Sequence, residues 1–318
     1  MTAKEKTASD RERPGTAGGA GRERCKCAIP MWEEQIKQER SRQNMRRRGC
    51  AGLVLAAAVL AAAGTGHMTA FAGQAAASGP ALESRAEGLG EEKQTKTGET
   101  ALAEYLPEGF DVNQLTAAEQ TDHLILAVGD GADQSSLTLW YYERGEDGRL
   151  SEVFGTRGTC GRAGITADKV EGDKKTPSGL YSFTMAFGLK EDPGSQIPYR
   201  QVQDGDCFVD DVGSRYYNQY VNAGAVKADW RSAEVLKNQG PCYNYALVLN
   251  YNADCVPGRG SAIFLHCPKV KDDTYTAGCI GIPEELVKTI LTTADKDAKI
   301  LIVQDREALG PYMAEGQK

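Results

Sequence analysis

An uncharged apolar run entered from three consecutive arginines is the feature that most constrains this chain. Arg46, Arg47 and Arg48 lead directly into residues 49–63, which contain only Gly, Cys, Ala, Leu and Val. A positive start, a short apolar centre and small residues behind it make a secretory signal. The centre, 53–63, is shorter than the ~20 residues a membrane-spanning helix needs, and Ala70-Phe71-Ala72 puts small residues where a signal peptidase reads them. Cleavage is expected after Ala72. The competing reading is an uncleaved anchor, because the run continues through weakly polar residues to Ala77. On either reading the rest of the chain is expected outside the cytoplasm, touching a membrane only through this segment. Residues 1–44 form a polar leader longer than an ordinary charged n-region, so translation is expected to start at Met45 or Met31.

The chain therefore divides into a leader at 1–44, a signal or anchor at 45–72, a linker at 73–100 and one domain at 101–318. The linker is Ala, Gly, Ser, Glu and Lys with hardly a large apolar residue, too little to offset the entropy of ordering. Beyond it, strand-like segments are expected at 123–128, 137–142 and 150–154, joined as hairpins by Gly- and Asp-containing turns, then at 179–183, 245–250, 262–266 and 299–303. One helix is expected over 283–293, with Pro283 at its first position and Glu284 and Glu285 at the positive end of its dipole. The fold class expected is mainly β.

Composition removes several functions. The chain carries 37 Lys+Arg against 44 Asp+Glu, a net charge of −7. Because residues 1–72 hold 13 Lys+Arg and 7 Asp+Glu, residues 73–318 hold 24 against 37, a balance of −13. A nucleic-acid partner is not expected on such a chain, since binding phosphates needs a basic face. There are three histidines, His67, His123 and His266, and the downstream cysteines contain no Cys-x-x-Cys pair, so no metal site is expected and no cofactor is called for.

The chemistry concentrates in two motifs, Phe264-Leu265-His266-Cys267-Pro268 and Thr276-Ala277-Gly278-Cys279-Ile280. A thiol attacks only as thiolate, and a nearby imidazole is the simplest activator. His266 lies thirteen positions before Cys279, a gap that suits a strand and a returning loop bringing both to one end of a sheet. Ala277 and Gly278 offer almost no side chain, so the Gly278 and Cys279 amides are candidates to stabilise an oxyanion. Taken singly, each has a plainer reading: a strand-ending histidine at the surface, a cysteine as a small buried hydrophobe.

These motifs resemble the His and Ser/Thr-x-Gly-Cys signature of the L,D-transpeptidase (YkuD-type) catalytic domain of bacterial cell-wall enzymes. Upstream, residues 169–183 (Lys-Val-Glu-Gly-Asp-Lys-Lys-Thr-Pro-Ser-Gly-Leu-Tyr-Ser-Phe), 186–188 and 208–211 with Tyr217-Asn218 are similar to segments of one branch of that family. The resemblance implies a sandwich- or barrel-like β fold with a few short helices. It implies that Cys279 attacks a peptidoglycan stem peptide at its third residue, a diamino acid, expelling the terminal D-residue and leaving a thioester that an amine or water resolves. It makes His266 the base, Gly278 the turn glycine, and the Cys267 carbonyl the group that orients the imidazole. Two places depart from the family pattern: Ala277 stands where a second histidine is common, and Gly281 where Arg or Asn is frequent. Hydrolysis on the same scaffold, as in an L,D-carboxypeptidase or amidase, and a non-catalytic wall-binding protein are the alternatives. The oligomeric state is left open.

Other residues have weaker claims. Thr276, Arg215, Tyr217 and Asn218 are candidates to bind substrate, with a solvated loop as the plainer reading for the last three. Residues 173–179 read as a turn feeding the 180–183 strand, with Pro177 fixing φ and Gly179 free to take positive φ. Cys242 with Cys255, or Cys207 with Cys242, are candidate disulfides, and Cys267 with Cys279 a candidate redox pair. A sortase-like reading would use His123, Cys160 and Arg162 but leaves the motifs around Cys279 unexplained. Papain-like enzymes run cysteine before histidine, the reverse of the order here.

Overall fold

The computed structural model describes residues 102–269 and 273–314. The leader, signal and linker expectations lie outside them. Fourteen strands appear among the described residues: β1 (His123–Gly129), β2 (Ser136–Arg144), β3 (Leu150–Thr159), β4 (Ile165–Thr166), β5 (Thr176–Pro177), β6 (Gly179–Gly188), β7 (Tyr199–Gln201), β8 (Asp206–Val209), β9 (Tyr220–Asn222), β10 (Ala233–Val235), β11 (Ala246–Leu249), β12 (Phe264–His266), β13 (Ile280–Gly281) and β14 (Lys299–Val303). One α-helix, α1, spans Glu284–Thr293. Among the described residues no helix is long and apolar enough to cross a membrane.

The main sheet runs β11-β12-β13-β3-β2-β1-β14-β6-β7, and a further pairing of β11 with β6 closes it into a barrel. Closure works because β6 is ten residues long: its first half pairs with β14 and its second half with β11. The expected hairpins form, β1 with β2 and β2 with β3 both antiparallel. The fold is mainly β and barrel-like. A second sheet, β10-β8-β9, carries its own small cluster of Cys207, Val209 and Val221.

Strand periodicity builds two cores rather than one. Ile125 and Ala127 of β1 face the barrel interior with Leu139, Tyr141, Leu247, Leu265, Ile280 and the α1 residues Val287, Ile290 and Leu291. The alternate residues Leu124, Leu126 and Val128 face a second core with Trp140, Leu301 and Val303, covered by Val112, Leu115 and Ala117 from the N-terminal segment and Leu309 from the C-terminal one. β1 is thus buried on both faces, and its near-continuous apolar run reflects this.

Two local expectations shift. Pro283 sits one place before the helix, at the N-cap, with an extended ψ of 139°, while Glu284 and Glu285 occupy the first turn. The turn at 173–179 contains strand β5, which pairs in parallel with β4, and Gly179 does take positive φ, 137°.

Candidate active site

β12 and β13 lie side by side and parallel, Leu265 opposite Ile280 and His266 opposite Gly281. Residues 267–279 make the return, about the minimum a parallel connection needs. Ile263, Leu265, Cys267 and Ile280 point into the barrel core, so alternation turns Phe264, His266 and Cys279 to the opposite face. His266 and Cys279 meet there, both lining a cleft of about 840 Å³, and each is only 8% exposed.

An aromatic cluster fixes that face. Phe264 packs edge-on against Phe187, Phe208 and Tyr243, with ring centroids 5.2, 5.0 and 5.8 Å away. Tyr243 also packs edge-on against His266 at 5.4 Å and donates its hydroxyl to Glu234 Oε1 at 2.7 Å.

His266 Nδ1 lies 2.5 Å from the Cys267 carbonyl oxygen. A carbonyl only accepts, so Nδ1 carries the hydrogen and Nε2 is left as the basic nitrogen. Burial holds the imidazole below its ordinary value, opposed by the Cys267 bond and the Asp273 charge. The Cys279 sulfur accepts the Phe264 N–H at 3.3 Å and donates to the Ala262 carbonyl at 3.3 Å. Burial raises this thiol well above its ordinary value and Glu234 adds to the effect, while the Phe264 N–H and the Lys169 charge pull it back. Both groups therefore rest neutral, a thiol beside an imidazole.

Two threonines hold the cysteine turn. Thr176 Oγ1 accepts the Gly161 N–H at 2.8 Å and donates to the Gly278 carbonyl at 2.8 Å. Thr276 Oγ1 donates to the Cys279 carbonyl at 2.6 Å and accepts the Gly278 N–H at 3.1 Å. Thr276 lines the cleft, but its hydroxyl serves the turn. The Gly278 amide is engaged by that hydroxyl, so of the two amides singled out in the sequence the Cys279 N–H is the better oxyanion candidate. Gly278 itself has φ 149°, and a Cβ there would meet the Lys175 carbonyl at 3.0 Å, so glycine is required by conformation and space together.

Three sequence candidates do not line the cleft. Arg215 is exposed and pairs with Asp229 at 2.7 Å. Tyr217 is 1% exposed; its hydroxyl donates to Glu171 and accepts the Gly260 N–H, so it supports the 258–262 turn from beneath. Asn218, at φ 56°, accepts the Ala262 N–H at 3.0 Å and donates to the Tyr251 and Asn252 carbonyls. It holds the approach to β12 rather than a ligand.

The six described cysteines are free thiols. Cys242 donates to the Gln239 carbonyl and Cys255 to those of Asn218 and Ala253, so neither candidate disulfide of Cys242 is formed. Cys267 points into the barrel core toward the Tyr245 carbonyl, away from the face that carries Cys279, and burial raises its thiol to about 12. The sortase-like set is dispersed as well. His123 opens β1 opposite Glu143, whereas Cys160 follows Thr159, which pairs with Ser136 at the far end of the same hairpins. At about 3.3 Å per residue these positions lie roughly 20 Å apart, and burial raises the Cys160 thiol to about 12.

Sequence reasoning did not find Lys169, Asp210, Glu234 or Tyr243, all of which line the cleft. Lys169 stood at the head of the motif quoted at 169–183. Asp210 stood in the segment similar to the family at 208–211, while Glu234 and Tyr243 arrive from the small sheet and the turn after it, with no local pattern to mark them.

A family model described as the L,D-transpeptidase catalytic domain (YkuD) matches residues 132–302, more than half of the chain. No curated protein matches it. Among solved structures, the helical cell shape determining protein Pgp2 from Campylobacter jejuni is 19% identical, with 58% of this chain and 49% of that one covered and a TM-score of 0.31. An L,D-transpeptidase from Enterococcus faecium is 13% identical, with 57% and 50% covered and a TM-score of 0.28. The chain thus spans about half the length of these solved structures, and likenesses this distant carry no argument about activity. The family model does decide membership: this chain belongs to the L,D-transpeptidase catalytic domain (YkuD) family.

Proposed function

We propose that this chain is an extracytoplasmic peptidoglycan L,D-transpeptidase. The observation that carries the reading is the placement of His266 and Cys279 on one face of adjacent parallel strands in a common cleft, with His266 Nδ1 held on the Cys267 carbonyl. With both groups neutral at rest, Nε2 takes the thiol proton as the sulfur attacks the carbonyl of the third stem residue. A carbon–sulfur bond forms, and the Cys279 N–H stabilises the oxyanion. The tetrahedral intermediate expels the terminal D-residue as its amine, which receives the proton from Nε2, and a thioester remains. An acceptor amine then forms a carbon–nitrogen bond, the carbon–sulfur bond breaks, and the thiol recovers its proton.

Intact-mass analysis after incubation with a defined tetrapeptide stem tests this. The parent should gain the mass of the tripeptide acyl group, and Cys279→Ala should gain nothing. His266→Asn should slow acylation by roughly 10²–10⁴-fold, the usual contribution of a positioned base. Products with an added amine sort transfer from hydrolysis, and a parent that forms no adduct favours a wall-binding protein. Export is part of the proposal: residues 45–72 act as a signal cleaved after Ala72, and 73–100 tether the domain at 101–318. N-terminal sequencing of the native protein should begin at Gly73. Peptides from residues 2–39 in the precursor would refute a start at Met45.

A further inference from the structure

The cleft holds a buried cation that the proposed mechanism leaves unused. The Lys169 side chain is 4% exposed, and its ammonium donates to Asp173 Oδ1 at 2.7 Å and to the Val170 carbonyl at 3.3 Å. An ammonium has three N–H groups, so one remains beyond these two. Glycines make room for the side chain where it meets the cysteine turn. Its Cε lies 3.0 Å from where a Cβ would stand at Gly260, and its Nζ 3.8 Å from where one would stand at Gly278, both at positive φ. The charge reaches the sulfur of Cys279, where it opposes the effect of burial.

The Asp173 oxygens also accept the Val170 and Lys175 amides at 2.9 Å each, which fixes the ion pair in place. The other cations lining the cleft, Lys174 and Lys269, are exposed, where a solvated ammonium gains little from pairing. The small-sheet side of the cleft is acidic. It carries Glu234, and Asp210, whose Oδ1 is buried with no hydrogen-bond partner among the described residues. Glu171 also lines the cleft beside Lys169, where its Oε2 accepts the Tyr217 and Ser261 hydroxyls, so among the described residues Lys169 is the buried cation that a carboxylate in the cleft can meet.

Given the reading above, on which this step rests, the residue that leaves carries a free carboxylate one residue beyond the attacked carbonyl. Successive Cα atoms are about 3.8 Å apart, so that carboxylate must bind close beside the cysteine turn. We propose that Lys169 binds the C-terminal carboxylate of the peptide that Cys279 attacks. Lys169 is then a specificity-determining residue for the free acid of the residue that leaves.

Acylation rates measured by intact mass with a tetrapeptide stem and with its C-terminal carboxamide test the assignment. The parent should favour the acid by roughly 10- to 100-fold in kcat/KM, the span of one buried charge-assisted hydrogen bond. Lys169→Met, which keeps the apolar stem, should lower the acid rate by more than the amide rate and so collapse the acid-to-amide preference; Lys169→Arg should recover part of the preference. Equal rates for acid and amide in the parent overturn the proposal even if the methionine variant does not fold. A Lys169→Met variant that slows both substrates equally also overturns it, since that is the mark of a structural role. No adduct with either substrate in the parent defeats the functional reading itself, and this proposal with it.

Discussion

At Cys279 burial and local donors act in opposite directions. Burial and Glu234 raise the thiol; the Phe264 N–H and the Lys169 charge lower it, and burial prevails. His266 is shifted the other way, its imidazole held below the ordinary value of about 6.5. A base works only when neutral, so a lowered value keeps His266 competent at lower pH than an ordinary histidine. The acid limb of kcat/KM for acylation should therefore have its midpoint below 6.5, the ordinary histidine value; a midpoint above it would sink the assignment of His266 as a buried neutral base. Gly278 supplies a second expectation at this scale. An added Cβ meets the Lys175 carbonyl and the φ of 149° disfavours it, so Gly278→Ala should cost about 1–3 kcal/mol in unfolding free energy and slow acylation. Thr176→Val removes the hydroxyl that joins the Gly161 amide to the Gly278 carbonyl. Its cost, read from a urea midpoint, should be about 1–3 kcal/mol, because the buried amide and carbonyl lose their partner. Of these residues His266, Cys279 and Gly278 were legible, since the motif writes their chemistry into residue type and spacing. Thr176 was read as part of a turn, and its contact with Gly278, 102 positions away, is a product of folding.

Between β12 and β13 the register makes the site. Had β13 slipped by one residue, Cys279 would point into the barrel core with Ile280 in its place at the cleft, because strand side chains alternate faces. Phe264 anchors this register, with rings of β6, β8 and the turn before β11 packed edge-on around it. Phe264→Ala should destabilise the protein by about 3–5 kcal/mol, and the urea midpoint measures it. Acylation should fall further than the loss of folded protein accounts for, because His266 packs on Tyr243 of this cluster and the Cys279 sulfur accepts the Phe264 N–H. Seven of the fourteen described strands and the helix were legible from periodicity and turn residues. The short strands β4, β5, β7, β8, β9, β10 and β13 were not. They run two to four residues, too few for a period to declare itself, and they form by pairing with partners distant in sequence.

Over the whole molecule the barrel is covered on one outer face by the segments before β1 and after β14. Leu115 bridges to Met313, and the Ala314 amide donates to the Gln114 carbonyl, fastening the two segments together. A chain beginning at residue 122 would expose Leu124, Leu126, Val128 and Trp140. Burying each large apolar side chain contributes about 1.5–3 kcal/mol, so losing the cover should remove most of a typical net stability of about 5–15 kcal/mol. Such a chain should bind a hydrophobic dye and lose its cooperative urea transition; an unchanged midpoint would refute the second core. The cover begins upstream of the family match, which starts at residue 132. The sequence by itself determined the class of fold and the candidate nucleophile and base. It could do so because period, turn chemistry and the His266-to-Cys279 spacing are local properties of the chain. Only the tertiary structure decided that β1 is buried on both faces, that Tyr217 and Asn218 brace turns instead of facing the cleft, and that Lys169, Asp210, Glu234 and Tyr243 surround the cysteine. Those outcomes depend on which surfaces pack together and exclude water, which distant segments settle jointly.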